Sequence, residues 1–346
     1  MKKVVNIRSS SGALSLQLEL KPWLMMMLLF CSMIVLMTIG LALGSTWVSP
    51  ITIFQYVIGM DVGAATFIIE SLRLPRMLVA LFAGAALGVS GLILQEMVRN
   101  PLASPDIIGI TGGGALAAVF FITTLGGIVS LSWLPLAAMV GSAVVSLFIY
   151  LLAWKDGISP IRLILIGIGI NALLSALTTL MIVFSPLNTS SQAYVWMTGS
   201  VYGASWTDVG HMFPWVIVCI PLALLLTRAM HVHQLGEEVA TSLARRMQVQ
   251  RFMMISISVL LAGVAVAFAG GISFVGLMAP HIARLLFGKS FAVLVPAAAL
   301  IGGMMVFSAD VIGRTAFLPL DVPVGVFVSA IGAPFFLYLL YRNRHQ

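Results

Sequence analysis

Charged residues are scarce in this sequence. Only 8% of its 346 residues are Asp, Glu, Lys or Arg, whereas 60% are hydrophobic. Because soluble domains carry about 25% charged residues, the composition excludes a soluble globular protein. None of the eleven acids lies at the centre of an apolar run, where the essential acid of an ion-coupled transporter or proton pump would be expected. A secondary transporter driven by an ion gradient is therefore the weaker alternative.

Residues that hold metals or form covalent intermediates are also few. The two cysteines, Cys31 and Cys219, lie inside apolar runs without metal-ligand spacing. The glycine-rich segment 111–114 lacks the Lys-Ser/Thr that completes a phosphate-binding P-loop. We therefore expect no catalytic residue, metal or cofactor in this chain. Its net charge of +7 is explained by the positive-inside bias of membrane proteins, so we expect the lipid bilayer as a partner and no nucleic acid.

Long apolar runs are what the sequence has in abundance. They predict an all-α integral membrane protein, because a membrane barrel would show short alternating segments instead. Residues 1–21 are expected to form a cytoplasmic tail, and residues 22–346 a single transmembrane domain. Ten spans are predicted, at residues 23–44, 74–97, 107–124, 134–154, 163–184, 209–227, 252–269, 274–287, 291–311 and 324–341.

The eighth predicted span is short. About 14 residues at 1.5 Å each cover roughly 21 Å, less than the ~30 Å apolar core of a bilayer, and Pro280 interrupts them. Such a helix needs protein around it, as in transporters with broken helices. If it crosses, 15 of the 18 basic residues face the cytoplasm, and if it does not, only 12 do. The charge bias therefore predicts ten crossings with both termini cytoplasmic.

Three arginines, Arg73, Arg76 and Arg314, then lie on the outer side against this bias. One interpretation is anchoring to lipid headgroups or an internal ion pair, such as Arg73 with Glu70 or Arg314 with Asp310. The other is a basic patch that receives acidic side chains of an external protein, because a planar guanidinium binds carboxylates through two hydrogen bonds. The residues themselves leave both interpretations open.

The longest charged segment, residues 228–251, separates two apolar runs. Residues 237–247 have helix-forming composition, with acids at the start and arginines at the end, as the helix dipole favours. This segment is either an ordinary cytoplasmic loop or a small helix presented to a soluble partner, since a plain connection could be much shorter.

A faint internal repeat is present. A shift of 179 residues aligns 81–109 with 260–288 and gives eight identities in 29 positions. The shift pairs the second span with the seventh. Because this offset is five spans, an odd number, the two copies, spans 2–5 and 7–10, are predicted to be inverted relative to each other.

Several long motifs resemble one family, the permease subunits of type II ABC importers for iron–siderophore complexes, haem and vitamin B12. The resemblance runs from about residue 72 to the C-terminus. Asp321 stands where the family commonly has glutamate. The motifs are RLPR at 73–76, GLILQEMVRNPLASPDIIGITGGGA at 91–115, YVWMTGS at 194–200, LGEEVATSL at 235–243, GGISFVGLMAPHIARLLFG at 270–288 and SADVIGRTAFLPLDVPVGVFVSAIGAPFFLYLL at 308–340.

The resemblance implies a bacterial inner-membrane permease with ten helices, without enzymatic activity of its own. Two such subunits, identical or homologous, would line a central path above two cytoplasmic ATP-binding subunits, and an extracytoplasmic binding protein would deliver a ferric siderophore, or alternatively haem or vitamin B12. Arg73, Arg76 and Arg314 match the arginines that dock the binding protein. The residues that match the ATPase-coupling motif are Leu235, Gly236, Glu237, Glu238, Ala240, Thr241 and Leu243.

Overall fold

The computed structural model describes residues 4–8, 15–155, 160–227 and 247–342. The coupling residues predicted between Leu235 and Leu243, with most of the charged segment 228–251, lie outside these residues, so their role stays a prediction. An antiparallel hairpin of β1 (Val4–Arg8) and β2 (Ser15–Glu19) precedes the first helix, in the segment that the sequence analysis assigned to a tail.

Helices make up the rest of the described regular structure. They are α1 (Leu20–Ala42), α2 (Pro50–Val57), α3 (Ala64–Phe67), α4 (Leu74–Val98), α5 (Ile110–Phe120), α6 (Leu134–Ala153), α7 (Pro160–Val183), α8 (Leu187–Met197), α9 (Trp206–Leu225), α10 (Met247–Ala269), α11 (Val275–Phe287), α12 (Phe291–Thr315) and α13 (Val324–Arg342).

The predicted all-α membrane architecture is confirmed in this part of the chain. Eight helices are long and apolar enough to cross a membrane, and two shorter apolar helices, Ile110–Leu125 and Val275–Phe287, occupy the third and eighth predicted spans. The eighth, α11, has 13 residues with Pro280 inside it. Helices α2, α3 and α8 were not predicted, because they are short and lie between the long apolar runs.

The second span begins earlier than predicted. A π-helical turn, Ile68–Arg73, joins α3 to α4, so one 35-residue helix runs from Ala64 to Val98. The predicted start, Leu74, is the first residue of α4, and Pro75 follows it in the first turn, where proline is typical. In the structure Pro75 lies inside the long helix, and the wider turn precedes this residue, which has no N–H to donate.

Helix α4 is the buried centre of the bundle, and its glycines explain how neighbouring helices come so close. A Cβ on Gly84 would lie 2.1 Å from the carbonyl oxygen of Gly302, and a Cβ on Gly91 would lie 1.8 Å from that of Gly276. Small residues at such positions let helix backbones touch, which is how helices associate in a bilayer. The backbone of α4 therefore packs directly on α12 and α11.

Polar contacts reinforce this packing. The Ser90 and Ser258 hydroxyls, both buried, lie 2.7 Å apart and join α4 to α10. Closer to the C-terminal end of α4, Arg284 of α11 donates to Gln95 Oε1 at 2.5 Å and pairs with Glu96 Oε1 at 3.1 Å. Each bond satisfies a polar group that lipid could not satisfy.

The inverted repeat stays a prediction. The 179-residue shift places Pro101 in the connection after α4 and its counterpart Pro280 inside α11, so the two copies differ locally at this point.

Candidate functional site

The three arginines singled out in the sequence come together in the structure. Arg73 and Arg76 lie where the π-helical turn passes into α4, and Arg314 lies in the last turn of α12. Two acids join them: Asp310, one turn before Arg314, and Asp321, in the connection to α13. We call these five residues the arginine cluster.

Arg76 is the centre of the cluster. Its Nε donates to Asp310 Oδ1 at 2.8 Å, and its two terminal nitrogens donate to the two carboxylate oxygens of Asp321 at 2.6 and 2.8 Å. The second of these nitrogens also lies 2.7 Å from Asp310 Oδ1. Every nitrogen of the guanidinium therefore has a carboxylate partner, in the paired geometry that makes arginine–carboxylate contacts strong.

An exposed aromatic ring covers this guanidinium. The Arg76 Cζ lies 5.6 Å from the centroid of the Tyr202 ring, within the range of a cation–π contact. The short segment that carries Tyr202 leads into α9, where the Trp206 Nε1 donates to the Glu70 carbonyl at 2.8 Å. Sequence analysis missed Tyr202, because only the fold brings it to Arg76.

Arg314 combines an ion pair with backbone contacts. Its Nε lies 3.4 Å from Asp310 Oδ2, which confirms the internal pair proposed from the sequence. Its terminal nitrogens donate to the carbonyl of Leu43, at 3.1 Å, and to that of Gly40. Both carbonyls lie at the end of α1, where the last turn has no intrahelical donors of its own.

Arg73 makes a similar contact without a carboxylate. Its side chain is buried and donates to the carbonyls of Leu41 at 2.5 Å, Ala42 at 3.1 Å and Thr46 at 2.5 Å. The Arg73–Glu70 pair, offered as an example of one interpretation of the sequence, is not among the described ion pairs. Arginines favour helix C-termini, because the carbonyls there carry partial negative charge. Arg73 and Arg314 thus fix α1 to the bundle.

A cavity of about 960 Å³ opens beside the cluster. The three arginines and Asp321 line it, together with Ser200 and residues 44–46, 202–205 and 318–320. With Asp310 buried beneath, three guanidinium groups face two carboxylates, so one positive charge is in surplus. The cavity is therefore suited to a carboxylate or another anion of moderate size.

One partly buried acid, Asp106, was not singled out from the sequence. Asp106, in the turn Pro105–Ile108 before α5, accepts hydrogen bonds from the Thr111 and Ser104 hydroxyls, and Asn171 of α7 donates to its backbone carbonyl at 2.5 Å. Burial raises the pKa of the Asp106 carboxyl, while the two hydroxyl donors oppose the shift. It lies one residue before the third predicted span, and the contacts with Ser104, Thr111 and Asn171 appear only in the fold.

Comparison of this sequence with known proteins identifies a family that matches most of the chain. The model of the FecCD transport family matches residues 32–342. The chain is 49% identical over 309 residues to the achromobactin transport system permease protein of Dickeya dadantii, covering 89% of this chain and 88% of that one. It is 38% identical over 328 residues to the iron(3+)-hydroxamate import system permease protein of Bacillus subtilis, covering 93% and 98%.

A solved structure agrees with the sequence relatives. A metal-chelate type ABC transporter in an inward-facing conformation superposes with a TM-score of 0.83 at 29% identity, covering 92% of this chain and 99% of that one. The family match over residues 32–342 includes all five residues of the arginine cluster. This chain belongs to the FecCD transport family.

Proposed function

We propose that this chain is the membrane permease subunit of an ATP-driven importer that takes up a ferric siderophore. The observation that carries the proposal is the family match over residues 32–342, joined by relatives named for achromobactin and iron(3+)-hydroxamate transport that align over nearly the whole chain. Haem and vitamin B12 are the alternative substrates. A ferric siderophore is favoured because these relatives are named for iron-chelate transport.

The energy source would be a separate subunit. Two cytoplasmic ATP-binding subunits would drive the permease through residues 235–243, and a second permease, identical or homologous, would complete the path. Both termini would be cytoplasmic, in the inner membrane of a bacterium. The cytoplasmic position of both termini follows from the charge bias, because ten crossings put 15 of the 18 basic residues on the cytoplasmic side.

The arginine cluster would receive acidic residues of the extracytoplasmic binding protein. Two features support this assignment: the cavity of about 960 Å³ that the arginines line, and their surplus of one positive charge. The structure also gives Arg73 and Arg314 a second role, because both hold the end of α1. A substitution at either residue would therefore affect docking and α1 together.

Uptake by vesicles tests the function. The tagged chain, purified with its partners and placed in vesicles, is expected to import labelled ferric siderophore when ATP is enclosed with the ATP-binding subunits. Without ATP, an imposed proton or sodium gradient should give no uptake. Uptake driven by the gradient alone would favour the secondary transporter instead.

A charge-reversal pair tests the docking assignment. Arg73→Glu with Arg314→Glu should weaken binding-protein affinity and remove most of its salt dependence, since complementary charges speed and orient encounter. The control pair, Arg73→Lys with Arg314→Lys, disturbs α1 in a similar way but keeps both charges, and should retain most of the salt dependence. Equal losses in the two pairs would show that the partner does not read the positive charge.

A further inference from the structure

In the connection between α12 and α13, residues 316–323, one charged side chain pairs with a residue of α4. Asp321 reaches back to Arg76 of α4 with two hydrogen bonds, at 2.6 and 2.8 Å, and α13 begins three residues later at Val324. We call the Asp321–Arg76 ion pair the latch.

The two carboxylates on Arg76 differ in how easily they can leave. The Asp310 side chain is 1% exposed and is also paired with Arg314, whereas the Asp321 side chain is 26% exposed and lines the cavity. Asp321 and Asp310 already occupy the two positions at which a carboxylate can bind this guanidinium through two hydrogen bonds. An incoming carboxylate therefore reaches that paired geometry by displacing one of them. Asp321 is the one within reach.

Displacement of Asp321 from Arg76 would leave the start of α13 with fewer contacts to the bundle. Few backbone bonds hold this region: the Val322 N–H donates to the Gly313 carbonyl at a long 3.3 Å, and the Gly325 N–H donates to the Gly199 carbonyl at 3.1 Å. A Cβ on Gly325 would lie 1.8 Å from the Thr198 oxygen, so the start of α13 is packed tightly against the segment before Tyr202. A movement at Asp321 is therefore passed directly to this contact.

The neighbourhood of the latch suits a protein partner. Tyr202 is 72% exposed above Arg76, and Leu320, beside Asp321, is 70% exposed. Tyr202 and Leu320 lie around the partly exposed ion pair. A partner that packs on these two side chains would exclude water from a charge contact at the latch.

We propose that Asp321 is a displaceable latch. An acidic side chain of the docking protein takes the place of Asp321 on Arg76, and the freed connection releases the start of α13. The exchange replaces one carboxylate with another, so Arg76 stays paired while the contact of Asp321 with Arg76 is lost. This inference rests on the proposed docking role of the arginine cluster and adds a route from docking to a helix of the bundle.

Hydrogen exchange tests the latch without any partner. In the full chain in lipid nanodiscs, Asp321→Asn should speed exchange of the Val322 and Gly325 amides by about tenfold, since losing a partly exposed, doubly hydrogen-bonded ion pair shifts an opening equilibrium on that scale. Asp321→Glu keeps the carboxylate and should exchange close to the wild type. Unchanged exchange in Asp321→Asn would overturn the latch.

Asp61→Asn is the matched control. It removes the same charge from another exposed loop, where Asp61 accepts bonds only from the Gly63 N–H and the Thr66 hydroxyl among the described contacts. Exchange at Val322 and Gly325 should not respond to it. An equal acceleration in Asp61→Asn would show that loss of negative charge, and not loss of the latch, is the cause.

A polyglutamate peptide then serves as the acidic probe at low salt. We expect it to bind the wild type and speed exchange at Val322 and Gly325, with no further acceleration in Asp321→Asn. Binding without faster exchange would overturn the carboxylate exchange while leaving docking intact. Failure to bind would overturn the acidic docking site, whereas the Asp321→Asn result would still decide whether Asp321 holds α13.

Discussion

Gly91→Ala is the substitution that the packing of α4 makes most costly. The added methyl carbon would lie 1.8 Å from the carbonyl oxygen of Gly276, about 1.6 Å short of the 3.4 Å at which ordinary contact begins. The next nearest atoms also belong to the backbone of Gly276: its carbonyl carbon at 2.5 Å and its Cα at 2.6 Å. No side chain can rotate away, so α4 and α11 must separate.

The expected loss follows from two opposing effects. Overpacking a core costs about 1–3 kcal/mol, and a contact between two backbones belongs at the upper end of that range. Alanine is favoured over glycine in a helix by about 1 kcal/mol, which offsets part of the cost. Gly91→Ala should therefore lower the free energy of unfolding by roughly 2 kcal/mol.

The assay is unfolding of the purified chain in mixed micelles with increasing SDS, followed by tryptophan fluorescence. Gly84→Ala, whose methyl carbon would lie 2.1 Å from Gly302 O, should show a smaller loss than Gly91→Ala. The control is Gly169→Ala in α7, which has no heavy atom within 4 Å of the added carbon and should be neutral or stabilising. If Gly91→Ala were as stable as Gly169→Ala, the close contact of α4 and α11 would be refuted.

Three further experiments, with four substitutions, probe the polar contacts. Asp310→Asn should lower the free energy of unfolding by about 3 kcal/mol, because it breaks a buried charge pair with Arg76; a loss below about 1 kcal/mol in the same SDS titration would contradict the pairing. A double-mutant cycle of Ser90→Ala and Ser258→Ala should give a coupling of about 0.6–1.7 kcal/mol, and additive losses would show that the two hydroxyls act independently. Asp106→Asn should gain stability relative to the wild type as the pH rises above the ordinary aspartate range. The folded-state pKa of Asp106 is raised, so the wild type loses stability as the pH rises from the unfolded-state pKa through the folded-state pKa. Asparagine does not titrate, so the variant does not show this loss. Unfolding at a series of pH values checks this last trend, which a constant difference would contradict.

The membrane architecture could be predicted from the sequence, because a spanning helix shows itself in one continuous apolar run. The short α11 was also predicted from its apolar run, and the length of that run and Pro280 indicated a short, interrupted helix. The predicted start of the second span, Leu74, is where α4 begins. The helical extension from Ala64 to Arg73 was not predicted, because Glu70 and Arg73 interrupt the apolar run there. Helices α2 and α8, with 8 and 11 residues, are too short to give such a signal.

The arginine cluster was only partly predictable. Charge bias isolated Arg73, Arg76 and Arg314, and the pair of Arg314 with Asp310, offered as one interpretation, is present in the structure. The partners of Arg73 could not be foreseen, because backbone carbonyls at the end of α1 leave no trace in the sequence. Asp321 lies 245 positions from Arg76, so only the packed fold brings the two together.

Native mass spectrometry of the complex tests the central claim most directly. The chain would be purified through a tag from its own membrane in mild detergent, with everything that remains bound to it. We predict a complex with two copies of an ATP-binding subunit and two permease masses, equal for a homodimer and different for a heterodimer. A chain that purifies alone, and that imports ferric siderophore into ATP-free vesicles under an ion gradient, would contradict the proposed function.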